Sequence, residues 1–307
     1  MPNRRCRHVV WCRRVDGKRI AIGVLGLGAF VGVACSLAPS GIYSLDGGRD
    51  APVDFDASRD GSNDDDAGEA SAGDGGAETS CPDSLAGPKM VPAADFCIDS
   101  TEVTRAQYAK FLEAVADAGS TATTDAGLPP ECNWKTPSGL KPGGNWDPIG
   151  KPNQPVTNVD WCDAVAFCRW AGKRLCGRRG GGSIPWSTPS NDATQNQWYA
   201  ACSQESLRLY AYGSTWDPTR CRSNNGGQKA ADVGAYTQCV GGYPRLFDMT
   251  GNVAEWIDEC KGTGSGDGCL IQGGDFGSDS NASKCSSTQE RSRGDGNNDW
   301  NGFRCCL

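Results

Sequence analysis

Apolar side chains recur at helical spacing in a segment that begins just after residue 104. Thr104 followed by Gln107 matches a capping box, in which each side chain accepts a hydrogen bond from the other residue's backbone N–H group. The apolar positions that follow lie three or four residues apart, as on one face of a helix: Tyr108, Phe111, Leu112 and Val115. The pattern predicts a helix that starts at Thr104 and stops near Gly119.

Two further helices are predicted downstream, at Trp161–Ala171 and from Thr194 onward. Asp160 is placed to cap the first of them, and Thr194 with Gln197 matches a second capping box. Upstream, Phe96–Asp99 alternates like a short strand. The rest of this region is rich in Gly, Asn and Trp and has few periodic runs, so we expect long loops between few regular elements.

Near the N-terminus, a basic stretch precedes the apolar run Ile20–Ala34, whose length suits a signal peptide and is short for a full membrane span. The run ends at Cys35, which resembles the lipidated cysteine of a bacterial lipoprotein processing site. An uncleaved signal anchor is the alternative, because Ile20–Ala38 is just long enough to span with the positive charges inside. Both interpretations predict an extracytoplasmic protein anchored in a bacterial cell envelope, and neither says which membrane receives it.

A segment of Asp, Gly, Ser and Ala follows, with almost no apolar residue between Ser44 and Ser80. Such a segment cannot bury enough surface to offset the entropy that ordering would cost. We therefore predict three parts. These are a signal peptide or lipoprotein leader at 1–35, a disordered linker at 36–80 and a folded domain at 81–307.

Cysteine and histidine usage excludes several classes of protein. Of 17 cysteines, all but Cys6, Cys12 and Cys35 lie between Cys81 and Cys306, and their even number is typical of a disulfide framework in an exported protein. The one histidine is His8, so the folded domain has no three-histidine metal site, Ser-His-Asp triad or Cys-His pair. The net charge of -7 and the lack of a basic patch beyond the N-terminus exclude a typical nucleic-acid partner.

Several segments of the domain carry recognisable motifs. One is Tyr243–Trp256, which reads YPRLFDMTGNVAEW. The others are Phe96–Phe111, Pro155–Leu175, Thr194–Cys202, Gln272–Gly274 and Gly302–Cys305. In this order they resemble the formylglycine-generating enzyme family, also called the sulfatase-modifying factor family. The resemblance implies a compact α+β fold related to C-type lectins, with about three short helices, little regular secondary structure and long loops stapled by disulfides.

The family's enzymes are extracytosolic, and they oxidise a cysteine of a sulfatase to formylglycine. They use oxygen and a copper ion held by two cysteines a few residues after a Gly-Gly motif. In this sequence Asp275 follows the two glycines, and reading on without gaps places the two cysteine positions at Ser278 and Ser283. Copper(I) needs soft thiolate ligands, which a serine hydroxyl does not replace. The resemblance therefore implies the fold without the catalytic cysteine pair, and copper is not expected as a cofactor.

The resemblance also implies two structural disulfides, Cys202–Cys285 and Cys168–Cys305. Three local pairs are expected as well: Cys81–Cys97, Cys221–Cys239 and Cys260–Cys269. The sequence leaves the partners of four cysteines open: Cys132, Cys162, Cys176 and Cys306.

The segment just before Trp256 carries a further expectation, which is a calcium site. In the family, calcium is bound there by backbone carbonyls and a glutamate. The matching residues are Gly251, Val253 and Glu255, and Thr250 and Asn252 are adjacent to them. Calcium suits such an all-oxygen set at short spacing. The alternative is that Asn252 and Glu255 only form hydrogen bonds while Trp256 packs in the core.

Three tryptophans, Trp186, Trp216 and Trp300, fall in loops rich in Gly, Asn and Ser. Exposed aromatic rings beside small polar residues suit a binding surface. The alternative is that these rings only pack the loops over the domain.

Three functions stay open at this point. The missing cysteine pair favours an envelope-anchored, non-catalytic binding or structural module. The second is an active formylglycine-generating-type oxidase, dependent on copper and oxygen, that uses Cys285 with another free cysteine. The third is a calcium-dependent binder of carbohydrate or peptide. The expected partner is an envelope protein, a peptide or a glycan, besides the membrane itself.

Overall fold

The computed structural model describes residues 80–118, 128–224 and 229–307, together with four residues near the N-terminus. Contacts along the chain separate two compact units, residues 1–71 and 72–307. The second unit contains all the residues that the sequence places in a folded domain.

The four described residues of the first unit form two short antiparallel strands, β1 (Arg14–Val15) and β2 (Lys18–Arg19). The apolar run Ile20–Ala34, Cys35 and the predicted linker up to residue 79 lie outside the described residues. Within the described part of the chain, no helix is both long enough and apolar enough to cross a bilayer.

Three α-helices form in the second unit: α1 (Arg105–Asp117), α2 (Trp161–Trp170) and α3 (Gln197–Ser203). The predicted capping box of α1 is confirmed. The N–H group of Gln107 donates to the Thr104 hydroxyl at 3.2 Å, and the Thr104 N–H group donates to the Gln107 side chain at 2.9 Å. The apolar face predicted for α1 is buried through Tyr108, Phe111 and Val115. The predicted stop at Gly119 lies outside the described residues.

The start of α2 is also confirmed. The Asp163 N–H group donates to Asp160 at 3.0 Å, and the Asp160 N–H group donates to Asp163 at 2.9 Å. Both carboxylates pair with Lys135, at 2.7 and 2.6 Å. Lys135 lies between two 3-10 turns, Pro130–Cys132 and Pro137–Leu140, so this segment is tied to the first turn of α2.

The predicted capping box of α3 is wrong. The Thr194 hydroxyl donates to the Asp192 carboxylate at 2.6 Å, and Asn196 is the residue that caps the helix. The Gln197 side-chain amide donates instead to the carbonyl of the last residue, Leu307, at 3.2 Å. The Gln197 side-chain oxygen, the atom that a capping box uses, accepts from the Arg174 guanidinium and from the Gly177 N–H group at 3.4 Å, so groups outside the local pattern occupy it.

The strands of the second unit are, in chain order, β3 (Met90–Ala93), β4 (Phe96–Asp99), β5 (Arg174–Leu175), β6 (Ala254–Cys260), β7 (Gly268–Gln272), β8 (Thr288–Ser292), β9 (Asn301–Phe303) and β10 (Cys305–Cys306). The predicted strand at β4 is confirmed. One sheet has the order β3-β4-β10-β5, and the other has the order β8-β7-β6-β9. In the second sheet β6 and β9 run parallel, while the other neighbours are antiparallel.

Aromatic rings fill the space between α1, α2 and β9. The Tyr108 ring stacks on Phe167 with 5.7 Å between centroids, and Phe167 meets Phe303 edge-on at 5.5 Å. A second apolar cluster surrounds α3 and includes Trp198 and Leu246. Three short helices and small sheets confirm the predicted α+β class among the described residues.

Seven disulfides join the fourteen cysteines of the domain. Cys168 pairs with Cys305 and Cys202 pairs with Cys285. The three local pairs form as expected, and the four cysteines left open form Cys132–Cys162 and Cys176–Cys306. So many disulfides indicate an oxidising, extracytoplasmic environment.

Candidate functional site

The loop that follows β7 begins with two glycines at positive φ, Gly273 (90°) and Gly274 (70°). A Cβ on Gly274 would lie 2.7 Å from the carbonyl oxygen of Ala282. Only glycine fits here, because the backbone is left-handed and the far end of the loop approaches closely. The glycines therefore close the Asp275–Ser283 loop onto itself.

This loop brings Ser278 and Ser283 together, the two positions where the family's cysteines would stand. The Ser283 hydroxyl donates to the Ser278 carbonyl at 3.3 Å, and the Ser278 hydroxyl accepts from the Asp275 N–H group at 2.9 Å. Both side chains are buried. Each hydroxyl thus holds the loop, and neither is an exposed nucleophile.

The donor atoms of this loop do not fit copper. Copper(I) prefers thiolates, and the loop offers two serine hydroxyls whose protons are not lost near neutral pH. Cys285, the nearest cysteine in sequence, is bonded to Cys202. Because every cysteine among residues 80–307 is in a disulfide, the described domain has no thiolate to supply.

A buried ion pair joins Arg304 to Glu255, the residue before Trp256 in β6. The Arg304 Nε and Nη2 atoms each donate to a Glu255 carboxylate oxygen at 2.7 Å, and the Trp198 indole donates to the same carboxylate at 2.8 Å. Arg304 also donates to the carbonyls of Asp99 and Phe247. Burial lowers the pKa of Arg304, but the charge and hydrogen bonds of Glu255 outweigh it and raise that pKa.

Two more acids are buried near this pair. One Glu102 oxygen accepts from the Asn252 side-chain amide at 3.0 Å, and the other has no hydrogen-bond partner. Burial, followed by the charge of Asp248, raises the pKa of Glu102 well above its usual range. Burial raises the pKa of Asp248 to about 6, although the Gly234 N–H group donates to it at 2.6 Å.

The polar side chains of the predicted calcium residues are engaged by other protein groups. Both oxygens of Glu255 face the Arg304 guanidinium, which would repel a second cation. The Asn252 amide is engaged at both ends, by Ala231 and Glu102, and the Thr250 hydroxyl accepts from the Ala211 N–H group at 3.0 Å. Gly251 and Val253 lie in the buried turn before β6. Among the described side chains, no group of three or more Cys, Asp or Glu residues is arranged to hold a metal ion.

A cleft near the Asp275–Ser283 loop lies in the neighbouring segment, Tyr210–Arg220, called here the aromatic loop. The Tyr210 and Tyr212 rings stack with 5.7 Å between centroids, and Trp216 lies 5.3 Å from Tyr210. The Tyr210 hydroxyl donates to the Ser280 carbonyl at 2.9 Å, which joins the two loops. A cleft of about 480 Å³ opens beside these rings.

Of the three tryptophans chosen from the sequence, only Trp216 contributes to this cleft. The Lys261 ammonium lies 5.9 Å from the Trp186 ring, and the Trp300 carbonyl accepts from the Ala254 N–H group. Sequence reasoning missed Tyr210, Tyr212 and Arg220. The alternation Tyr-Ala-Tyr just before Trp216 was the signal that would have pointed to them.

The fold and the loop together define a class: an extracytoplasmic α+β domain, held by disulfides, that has a Gly-Gly loop without thiols. A family model of the sulfatase-modifying factor enzyme 1-like domain matches residues 66–307. The chain belongs to this family.

Two curated relatives show how far the likeness extends. The formylglycine-generating enzyme of Streptomyces coelicolor is 31% identical over 204 residues, which is 53% of this chain and 57% of that protein. The "Inactive C-alpha-formylglycine-generating enzyme 2" of Bos taurus is 31% identical over 133 residues, 40% of this chain and 37% of that protein. The chain thus spans about half or less of the length of these relatives.

Among solved structures, PvdO from Pseudomonas aeruginosa is similar to this chain with a TM-score of 0.45 and 18% identity. The match covers 69% of this chain and 79% of that one.

Proposed function

We propose that this protein is a non-catalytic, envelope-anchored member of the family that acts as a binding or structural module. One observation carries the proposal: Ser278 and Ser283 stand in the loop that would hold the copper-binding cysteines, and both are buried. Their hydroxyls are used to hold the loop. A scaffold of this kind keeps its fold while its loops take up a different task.

The anchor in this proposal is the lipidated Cys35, or else the uncleaved apolar run Ile20–Ala38. The sequence supports it through the basic stretch before the run and the small residue after Cys35. Mass spectrometry of the protein extracted from membranes distinguishes the two. A chain that begins at Cys35 with an acyl modification supports the lipoprotein, and an intact N-terminus supports the signal anchor.

The decisive experiment is an activity assay with copper. The purified full chain is loaded with copper(I) and incubated with oxygen and a cysteine peptide of the sulfatase type, and the peptide is examined for the aldehyde. We expect no conversion. Copper-dependent conversion by the unmodified chain would overturn the proposal. The double variant Ser278→Cys/Ser283→Cys is the matched control, since it restores two thiols at the same places.

An active enzyme with a displaced cysteine pair is the competing function, and it needs two free thiols close together. Alkylation without reduction, followed by peptide mapping, tests it directly. We expect no alkylated cysteine between Cys81 and Cys306. Two alkylated cysteines from the same disulfide would support the competing enzymatic function.

A calcium-dependent binder is the third candidate. The pairing of Glu255 with Arg304 speaks against calcium at the Thr250–Glu255 segment. Thermal unfolding in excess calcium and in EGTA provides the measurement. We expect the same unfolding midpoint with calcium and with EGTA. Calcium bound at this segment would raise the midpoint, because a ligand that binds only the folded state stabilises it. A rise of several degrees with calcium would restore this candidate.

A further inference from the structure

Local hydrogen bonds and a nearby disulfide hold the aromatic loop in place. Its first turn is closed by two backbone hydrogen bonds between Tyr210 and Gly213, at 2.8 and 3.0 Å. The Tyr212 hydroxyl accepts from the Asp217 N–H group at 3.1 Å and donates to the Asp217 carbonyl at 3.2 Å. The disulfide Cys221–Cys239 fixes the segment just after the loop. A loop held in this way loses little conformational entropy when it binds.

The cleft combines aromatic faces with small hydroxyl groups. Tyr212 and Trp216 are half-buried, so each ring keeps a part open to solvent, while Ser214 and Thr215 are exposed between them. Its lining residues include Tyr212, Ser214, Thr215, Trp216, Asp217 and Arg220. Its volume of about 480 Å³ falls within the range of small-ligand sites, roughly 300–1,000 Å³.

The charges of the cleft cancel locally. Arg220 pairs with Asp217 at 3.3 Å, and its guanidinium lies 5.8 Å from the Tyr212 ring centroid. The other Asp217 oxygen accepts from the hydroxyl and the N–H group of Thr219. Since both charged groups are engaged, neither an anion nor a cation finds an unpaired counter-charge here. The cleft favours a neutral ligand.

A sugar ring matches this set of groups. One face of the ring carries C–H groups, which pack on an aromatic ring, and its rim carries hydroxyls that both donate and accept. The Ser214 and Thr215 hydroxyls donate and accept in the same way. A proline-rich peptide would use aromatic faces too, but it offers carbonyl acceptors without matching donors, so the serine and threonine lone pairs would stay unused.

We propose that the cleft of the aromatic loop binds a neutral oligosaccharide without calcium, with sugar rings packed on Trp216 and Tyr212. The inference rests on the proposed function, because it assigns a ligand class to the binding module. It also gives the loop next to Ser278 and Ser283 a task that needs no thiol, since Tyr210 links the two loops.

The test is a titration of the full chain with cellotetraose, maltotetraose and chitotetraose, followed by tryptophan fluorescence in the presence of EGTA. We expect saturable binding of at least one of these sugars. Trp216→Ala should weaken that binding at least tenfold. The matched control is Trp186→Ala, another half-buried loop tryptophan beside a cation, which should leave the affinity unchanged.

A second variant guards against misfolding. Ser214→Ala/Thr215→Ala keeps every ring and should weaken binding about three- to tenfold, while the unfolding curve stays that of the parent chain. The proposal is overturned if none of the three sugars binds saturably, or if Trp216→Ala binds as the parent does. Binding of a polyproline peptide in place of the sugars would also overturn it.

The copper assay on the same preparation separates the two proposals. Absence of sugar binding together with absence of peptide conversion removes only the carbohydrate site. Peptide conversion removes the proposed function, whatever the sugars do.

Discussion

Two polar regions of the domain are built in opposite ways. The network around Arg304 joins residues far apart in the chain, since Arg304 contacts Glu255, 49 residues away, and Asp99, 205 residues away. The part of the aromatic loop that lines the cleft is held by short-range contacts, such as that between Tyr212 and Asp217. The start of the loop reaches farther, through hydrogen bonds from Tyr210 to Ser280 and from Ala211 to Thr250. The first region is buried and the second is partly open to solvent.

The difference teaches which part of the molecule is free to change. A substitution in the Arg304 network leaves a distant buried partner unsatisfied and so acts on the whole fold. A substitution in the aromatic loop acts on groups that water reaches. The cleft side of the loop can thus change without leaving a distant buried partner unsatisfied, which is the arrangement expected of a binding surface on a scaffold.

The largest expected effect comes from the disulfide beside the Arg304 network. Cys168–Cys305 closes 137 residues, and the chain-entropy argument gives about 5 kcal/mol for its removal. The paired change Cys168→Ala/Cys305→Ala should lower the free energy of unfolding accordingly, measured in guanidinium chloride. The control is Cys260→Ala/Cys269→Ala, which removes a disulfide between cysteines only 9 residues apart. It should lower the free energy of unfolding by about 3 kcal/mol. An equal loss in both variants would contradict the entropic origin.

Arg304→Met should cost about 3–5 kcal/mol, because it leaves the Glu255 carboxylate buried without its cation. Arg220→Ala, which breaks an exposed pair of the aromatic loop, should leave the unfolding midpoint in urea unchanged. The double variant Arg304→Met/Glu255→Leu should recover part of the loss. If Arg304→Met and Arg220→Ala behaved alike, the contrast between the two regions would not hold.

The buried acids predict a stability that falls as pH rises. The folded-state pKa of Asp248 is about 6, above the ordinary value of 3.8, so the folded state binds more protons than the unfolded state between these pH values. Its contribution is fully present below about pH 4 and is lost as pH rises through 6, by about 3 kcal/mol.

Asp248→Asn should flatten this part of the profile. Unfolding in urea from pH 4 to 7.5 gives the measurement, with Asp217→Asn in the aromatic loop as control. The pKa of Asp217 is lowered by its hydrogen bonds to Thr219, so that variant should not change the slope in the same direction. A parent protein whose stability rises steadily from pH 4 to 7 would contradict the assignment of Asp248.

The smallest expected effect compares the same substitution in the buried core and in the aromatic loop. The buried Tyr108 hydroxyl donates to the Leu140 carbonyl at 2.9 Å, so Tyr108→Phe should cost about 1–2 kcal/mol by orphaning that carbonyl. Tyr212→Phe removes a hydroxyl next to solvent and should cost less than half as much. Thermal unfolding of the two variants, run side by side, measures the two losses of stability. A larger loss for Tyr212→Phe would mean that the aromatic loop supports the fold.

Local features of the fold could be predicted where the deciding contacts are near in sequence. The caps of α1 and α2 follow from residues three apart, Thr104 with Gln107 and Asp160 with Asp163. The same reasoning failed at Thr194, because the Gln197 side-chain oxygen accepts from Arg174, 23 residues away. Capping patterns are reliable only when no distant group competes for the side chain.

The candidate site was predictable in part for the same reason. Ser278 and Ser283 could be placed because the Gly-Gly motif lies only a few residues before them. The clustering of Tyr210 and Tyr212 with Trp216 could not, since it depends on the turn that Tyr210 and Gly213 close. The sequence also could not show that the Glu255 carboxylate forms an ion pair with Arg304.

The sequence by itself determined the helices with local caps, the even set of fourteen cysteines, the absence of histidine from the domain and the serines in the Gly-Gly loop. Only the tertiary structure decided the partners of Cys132 and Cys176, the pairing of Glu255 with Arg304 and the cleft of the aromatic loop. The reason is physical: caps and motifs depend on neighbours within one turn, whereas disulfides and buried ion pairs depend on which distant segments the core brings together.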